Sequence, residues 1–289
     1  GPRCVERLRG MFAFAIWDAR AARLFMARDR FGQKPLHYLH DGEKLVFGSE
    51  IKSILQHPEV TPAVHRPAIP RYLSYGHVPD PLTMFEGIRK LPPGHQILWQ
   101  DGQLTVEQYW DLRFQPDAPP RPYEEYLERT DALLREAVKI RLVSDVPLGA
   151  FLSGGVDSSL VVAMMALQTG EPVKTFSIGF EDQAYNELPY ARMVAERYGT
   201  DHHEEIVKPD AEAVIPGIIE NFDEPFSDSS AIPTYYVSRL ARRHVTVALS
   251  GDGGDEVFGG YDRYRYGRTA RRFDRIPHWL RRAVIGPVT

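Results

Sequence analysis

Two short stretches combine the residue types that nucleotide chemistry needs. The first, LSGGVDSS (152–159), lies between the apolar runs VPLGAF and LVVAMMAL. Gly154 and Gly155 let the backbone come close to a ligand, and the hydroxyls of Ser153, Ser158 and Ser159 can donate to phosphate oxygens. The lysine of a Walker A loop is missing, and Asp157 would repel a phosphate unless a cation intervened, so Mg²⁺ is the natural bridge. The alternative is a glycine turn followed by a serine-capped helix. The second stretch, LSGDGGDEVFGGY (249–261), again follows an apolar run, again begins Ser-Gly, and delivers Asp252, Asp255 and Glu256. If the two preceding strands are neighbours in one parallel sheet, both loops leave it on the same edge and bring Asp157 and Asp255 within reach of one divalent ion. The competing reading is an acidic turn that places Asp255 and Glu256 at the positive end of a helix.

Such loops need a sheet to carry them. From residue 123 onward, strands alternate with helices. Helical spacing covers 123–141, VPLGAFLS is a strand, 158–168 is a helix stopped by Gly170, and VKTFSIGF is a strand. A helix over 188–198 stops at Gly199, HHEEIV is a strand, and two helical segments lead into the strand VTVALS (245–250). This rhythm predicts a doubly wound parallel α/β sheet, with ligands held beyond the carboxyl ends of its strands. The first 114 residues read differently. Alternating runs flank a polar turn in GMFAFAIWDARAARLFMARDRFG, and hairpins are signalled at Asp41-Gly42 and Asp101-Gly102, with a short helix beginning near Glu50. Antiparallel α+β structure follows. Four prolines in QPDAPPRP mark 115–122 as a linker between a domain over 1–114 and one over 123–289.

Composition limits what these domains can do. The chain has 289 residues, a formal net charge of −4 and 43% hydrophobic residues, which gives no electrostatic case for nucleic acid or an anionic membrane. No apolar run approaches the length needed to span a bilayer. A single cysteine, Cys4, leaves no disulfide framework or cysteine-rich metal site and makes a reducing cytoplasm the expected compartment.

LSGGVDSS resembles the pyrophosphate loop of N-type ATP pyrophosphatases. Taken with SDVPLGAF, DEPFSDSSAIPTYYVSRLAR and ALSGDGGDEVFGGYDRY, it is similar to the glutamine-hydrolysing asparagine synthetase family. RGMFAFAIWD, ARDRFGQKPLHY, FGSEIKSIL and LPPGH resemble the later part of that family's N-terminal-nucleophile glutaminase domain. The resemblance implies a partial α+β glutaminase-type domain followed by a partial α/β ATP pyrophosphatase domain. It also implies a ligase using ATP and Mg²⁺: aspartate's side-chain carboxylate attacks the α-phosphate to give β-aspartyl-AMP and pyrophosphate, and ammonia from glutamine displaces AMP. Carried over by motif, residues 153–159 (with Val156 among them) cradle pyrophosphate, and Asp157 with Asp255 holds Mg²⁺. Phe151 and Ile178 contact adenine, Ser250 and Gly251 lie near the nucleotide, and Asp252 falls beside the acyl-adenylate as a candidate base. Asp29 of ARDRFG matches the acid that grips the glutamine amino group; the alternative for it is a β-turn acid paired with Arg28 or Arg30. His37 stands where tyrosine is usual, a change expected to affect packing rather than chemistry.

Other residues weigh less. The family's nucleophile is the first residue of the mature chain, whereas the match around Cys4 falls inside the domain, so Cys4 is expected to be a small buried residue. On this reading the terminal cysteine precedes Gly1 and a later lysine follows Thr289, and the 289-residue chain alone is expected to be inactive. His202 and His203, adjacent on a strand, point to opposite faces and do not form a chelate. The arginine-rich end reads as a solvated or packing surface. Aspartate, glutamine and ATP are the expected partners, a homodimer is an admissible assembly, and neither nucleic acid nor membrane is expected. The alternatives are a related ATP-dependent amidotransferase acting on a sugar, peptide or β-lactam precursor, and an inactive nucleotide-binding fragment.

Overall fold

The computed structural model describes residues 1–115, 119–182, 186–274, 276–277 and 280, so part of the expected linker at 115–122 lies outside the described residues. The chain divides into two compact units, 1–120 with 210–232, and 121–209 with 233–289.

In the first unit, β1 (Ala13–Asp18), β2 (Arg23–Arg28), β6 (His95–Gln100) and β7 (Gln103–Gln108) form an antiparallel sheet in the order β1-β2-β6-β7. A second antiparallel sheet has the order β4-β3-β5, from β3 (His37–His40), β4 (Leu45–Gly48) and β5 (Ile88–Lys90). The Asp41-Gly42 and Asp101-Gly102 turns join the β3–β4 and β6–β7 hairpins as predicted. At the second turn both residues take positive φ, 51° and 74°, which suits a tight turn matched to strand twist. β2 is one of the two inner strands, and Met26 and Ala27 on it are fully buried. A short α1 (Ile51–Leu55) follows Glu50 as expected, and Ile51 and Ile54 pack with Ile88. The stretch HVPDPLTMFEGIRKLPPGHQILWQDGQL (77–104), whose prolines and glycines predict loops besides the Asp101-Gly102 hairpin, also supplies β5, which pairs with β3, and α2 (Ala68–Tyr75) precedes it. Cys4 is half-buried beside the Val5, Phe25 and Ala27 cluster rather than fully enclosed.

The segment 210–232, placed by the sequence inside the second domain, belongs to the first unit. Its helix α6 (Ala211–Phe222) starts on an Asp210 cap that accepts from the Ala213 N–H and ends at Asp223 in the left-handed region. Asp223 then pairs with Lys52 at 3.1 Å and accepts from the Lys52 backbone N–H. Glu224 pairs with Lys90 and accepts from the Met84 N–H at 3.0 Å. Lys90 also donates to the Val78 carbonyl at 2.7 Å. Glu224 and Lys90 side chains are only 12% and 15% exposed, so solvent screens the pair poorly. Replacing Glu224 by Gln keeps an acceptor for Met84 but leaves the Lys90 ammonium without its counter-charge. We expect a loss of about 1–2 kcal/mol, read as a lower midpoint in urea denaturation at unchanged slope.

The second unit is a parallel sheet in the order β10-β9-β8-β11, from β8 (Leu148–Phe151), β9 (Lys174–Phe180), β10 (Asp201–Val207) and β11 (Val247–Leu249). The chain starts in β8, moves outward through β9 and β10, and returns on the other side of β8 as β11. The order therefore reverses between β8 and β11, which is where open α/β sheets bind ligands. The helices fall close to their predicted spans: α3 (Tyr123–Arg141), α4 (Val156–Ala166) and α5 (Leu188–Tyr198), with Gly199 in the left-handed region closing α5. α4 begins two residues earlier than its spacing suggests, directly after the glycine pair. Ala150, Leu152, Val162, Met165 and Ala191 form the core between the sheet and its helices. None of the described helices is long and apolar enough to cross a membrane.

Candidate nucleotide site at the carboxyl edge of the parallel sheet

β8 and β11 are hydrogen-bonded neighbours, pairing Leu148 with Val247 and Ala150 with Leu249, so the two Ser-Gly loops leave the sheet side by side. They also touch. A Cβ added at Gly251 would stand 2.8 Å from the Ser158 nitrogen and 3.0 Å from Asp157 Cβ, and one at Gly254 would overlap the Asp157 carboxylate. Only glycine permits this approach of one loop onto the other.

The first loop is shaped by its own serines. Ser158 is buried, and its Oγ lies 2.9 Å from Ser153 Oγ, accepts from the Ser153 N–H at 3.3 Å and donates to the Gly155 carbonyl at 3.2 Å. The Gly155 N–H donates to Ser153 Oγ at 3.2 Å. Ser158 and Ser153 therefore hold the loop's form. Ser159 Oγ, by contrast, is buried without a hydrogen-bond partner among the described residues, and Gly155, the cap residue of α4, provides no side-chain cap. A helix start with open N–H groups and an uncommitted buried hydroxyl suits an anion. The glycines differ in role. Gly154 sits at φ +81° against the start of α5, where an added Cβ would lie 2.5 Å from Tyr190 Cβ and 2.6 Å from the Ala191 nitrogen. Gly155 has φ −66° and would meet only Ser153 Oγ, at 3.2 Å. Gly154→Ala therefore combines a disfavoured backbone with a backbone clash, while Gly155→Ala does not. We expect the first to cost about 2 kcal/mol in stability and to weaken ATP binding measured by calorimetry, and the second to remain close to wild type.

The acids divide in the same way. Asp252 accepts from Ser250 Oγ at 2.8 Å, and Glu256 from the Tyr261 hydroxyl at 2.9 Å, which raises the phenol's pKa. Among the described residues, Asp157 and Asp255 have no hydrogen bond or ion pair to their carboxylates. Asp255 lies in the short helix α8 (Gly254–Phe258) with its carboxylate turned against Gly260. No group of three or more His, Cys, Asp or Glu side chains gathers as a metal cage among the described residues. Two free carboxylates fit Mg²⁺, which is commonly held by one or two protein carboxylates, water and substrate phosphates.

Behind the loops lies a cleft of about 190 Å³. Phe151 and Ile178, the expected adenine contacts, both line it, with Ser153 at one end. Sequence reasoning missed its other walls: Phe180 at the end of β9, Glu187 and Leu188 at the start of α5, and Pro233, Thr234 and Val237 of α7 (Ala231–Arg242). The signal available was that these residues fall at strand ends and helix starts, where a doubly wound sheet opens.

The structure corrects the expectation for Asp29. It is 1% exposed, and its carboxylate accepts four backbone N–H groups: Phe31 and Gln33 on Oδ1 at 3.1 and 3.0 Å, Phe12 and Lys34 on Oδ2 at 3.3 and 2.9 Å. A carboxylate has about four acceptor positions, so none is left for the amino group of glutamine. Nor does it pair with a neighbouring arginine. Arg28 donates to the carbonyls of Gly32, Lys34 and Leu91 and pairs with Asp80, and Arg30 donates to the Leu8 carbonyl. His37 Nδ1 lies 2.9 Å from the Ser49 carbonyl, and burial lowers the imidazole's pKa. His202 Nδ1 lies 2.9 Å from Thr175 Oγ1, while the His203 ring stacks on Phe176 and His244, so the two imidazoles do not converge.

A model of the asparagine synthase family matches residues 129–288, and one of the glutamine amidotransferase domain matches residues 1–110. Over 98% of its length the chain is 41% identical to a putative glutamine-hydrolysing asparagine synthetase of Methanocaldococcus jannaschii, covering 55% of that relative. It is 37% identical over 97% of its length to glutamine-hydrolysing asparagine synthetase 1 of Bacillus subtilis, covering 44% of it. A Penicillium rubens protein described as an amidase is 34% identical over 90% of the chain. The chain spans about half the length of the curated relatives it matches. With two adjacent Ser-Gly loops on a parallel sheet and an antiparallel amidotransferase portion before it, the chain belongs to the asparagine synthase family.

Proposed function

We propose that this chain carries the adenylating centre of an ATP-dependent, glutamine-dependent amide synthase whose acceptor is the side-chain carboxylate of aspartate. The observation that carries the reading is the meeting of the two loops at the switch point, where Gly251 and Gly254 pack on Asp157 beside an uncapped helix start.

In this reading the adenine enters the cleft between Phe151 and Ile178, and the pyrophosphate portion of ATP lies on the loop of Ser153, Gly154, Gly155, Val156, Asp157, Ser158 and Ser159. The open N–H groups of α4 and the free Ser159 hydroxyl stabilise charge as it builds on the pyrophosphate leaving group. Asp157 and Asp255 would hold Mg²⁺, which supplies charge neutralisation at the phosphates. Ser250 and Gly251 flank the nucleotide. The aspartate carboxylate oxygen attacks the α-phosphorus, the bond from that phosphorus to the bridging oxygen breaks, and pyrophosphate leaves. Ammonia from glutamine then adds to the acyl carbon, AMP departs with the carboxylate oxygen it gained, and one proton is released. In this reading Asp252, which accepts a hydrogen bond from Ser250 Oγ, takes that proton from the attacking nitrogen.

Exchange of labelled pyrophosphate into ATP, measured on the full-length gene product, tests this reading, because it reports reversible adenylation without needing ammonia. Exchange that requires both aspartate and Mg²⁺ is the expected result. Exchange supported equally by an unrelated acid, or absent with every carboxylate offered, would count against aspartate as the acceptor.

A further inference from the structure

The cleft has one charged group among its described lining residues, Glu187, and the site as read above gives it no task. The walls are otherwise largely apolar: Phe151, Ile178, Phe180, Leu188, Pro233 and Val237. Two of the polar residues that line it are already committed, Ser177 Oγ to the Leu152 carbonyl and Ser153 Oγ to Ser158 and the Gly155 N–H. Glu187 is held in place by its backbone. It is the cap residue of α5, and its carbonyl accepts the Tyr190 and Ala191 N–H groups at 3.0 and 3.2 Å. The next turn of α5 abuts Gly154, which fixes the Glu187 backbone relative to the phosphate loop. Among the described residues no hydrogen bond or ion pair engages the Glu187 carboxylate.

We infer that Glu187 selects the base of the nucleotide, accepting a hydrogen bond from the exocyclic amino group of adenine. The inference rests on the cleft being the nucleotide site. A carboxylate accepts and cannot donate. The 6-amino group of adenine donates, whereas the 6-oxo group of hypoxanthine or guanine presents a lone pair to the same position. Apolar walls hold a flat purine without distinguishing one from another, so discrimination must come from a polar group at the edge. Glu187 is exposed, so its contribution is smaller than that of a fully desolvated acid.

The test compares binding of Mg-ATP, Mg-ITP and Mg-2′-deoxy-ATP by calorimetry to the wild-type protein and to Glu187→Gln and Glu187→Ala. We expect wild type to favour ATP over ITP, with 2′-deoxy-ATP bound like ATP. A glutamine side chain can donate to a 6-oxo group, so Glu187→Gln should shrink the ATP/ITP preference about tenfold, the scale of one hydrogen bond to a charged group, and Glu187→Ala should lower it mainly by weakening ATP, with ITP gaining less than in Glu187→Gln. An unchanged ATP/ITP ratio in both variants, with ATP still bound, would overturn the role of Glu187 alone. So would a loss confined to the comparison of ATP with 2′-deoxy-ATP, which would assign the carboxylate to the ribose. Failure of wild type to bind any of the three would instead overturn the nucleotide reading of the cleft.

Discussion

Asp29→Asn is expected to destabilise the first unit by about 3–5 kcal/mol, a large part of the stability of an ordinary domain. The carboxylate receives four backbone N–H groups across residues 12–34, two on each oxygen, and the residue is 1% exposed. An asparagine would offer one oxygen in place of two, and its amide nitrogen would face two N–H groups it cannot accept. Those part-buried donors would lose their acceptor, which costs more than the bonds themselves gained. The Asp29 backbone is equally engaged: its N–H donates to the Phe12 carbonyl, and its carbonyl accepts from Gly32 and Gly94. Loss of Asp29 therefore loosens both the 29–34 turn and its attachment to the strands. Chemical denaturation decides between this role and substrate binding. A variant that unfolds at wild-type denaturant concentrations but binds glutamine poorly would restore the amino-group grip implied by the family resemblance.

The second large effect is chemical rather than structural. Asp157→Asn should lower the rate of pyrophosphate release by 10²-fold or more, because a neutral amide is a poor ligand for a hard cation and the transition-state charge loses several kcal/mol of stabilisation. Stability should change by less than about 1 kcal/mol. Asp157 lies in the first turn of α4, where its charge meets the positive helix end, and this exposed interaction is its main contribution to the fold. Asparagine fits the space beside Gly254 as well as aspartate does. Raising Mg²⁺ should recover part of the rate if the lost interaction is with the metal. A rate equal to wild type at limiting Mg²⁺ would remove Asp157 from the site.

These two aspartates show what could be read from the chain and what could not. The loop that carries Asp157 was legible because it depends on local order: a glycine pair, serines and an acid between an apolar strand and an apolar helix. The sheet that carries it was legible for the same reason, since apolar strands alternate with helical spacing and α5 stops at Gly199. Adjacency of β8 and β11 could be posed only as a condition, because no local pattern sets strand order. Asp29 misled because ARDRFG states which residue is present but not how many N–H groups the folded turn aims at it. The same limit applies to 210–232. Its helical spacing was correctly read, but its grouping with the first unit depends on Lys52 and Lys90, which lie more than a hundred residues earlier and form ion pairs with Asp223 and Glu224. β5 was missed because three residues in a proline- and glycine-rich stretch carry no periodicity of their own and become a strand only by pairing with β3.

The most direct test of carboxylate adenylation follows an oxygen atom. Aspartate labelled with ¹⁸O in its side-chain carboxylate is turned over with ATP and glutamine by the full-length gene product, and AMP and pyrophosphate are analysed by mass spectrometry. Attack of the carboxylate on the α-phosphorus requires one labelled oxygen to appear in AMP and none in pyrophosphate. Unlabelled AMP, or label released in inorganic phosphate, would contradict the account.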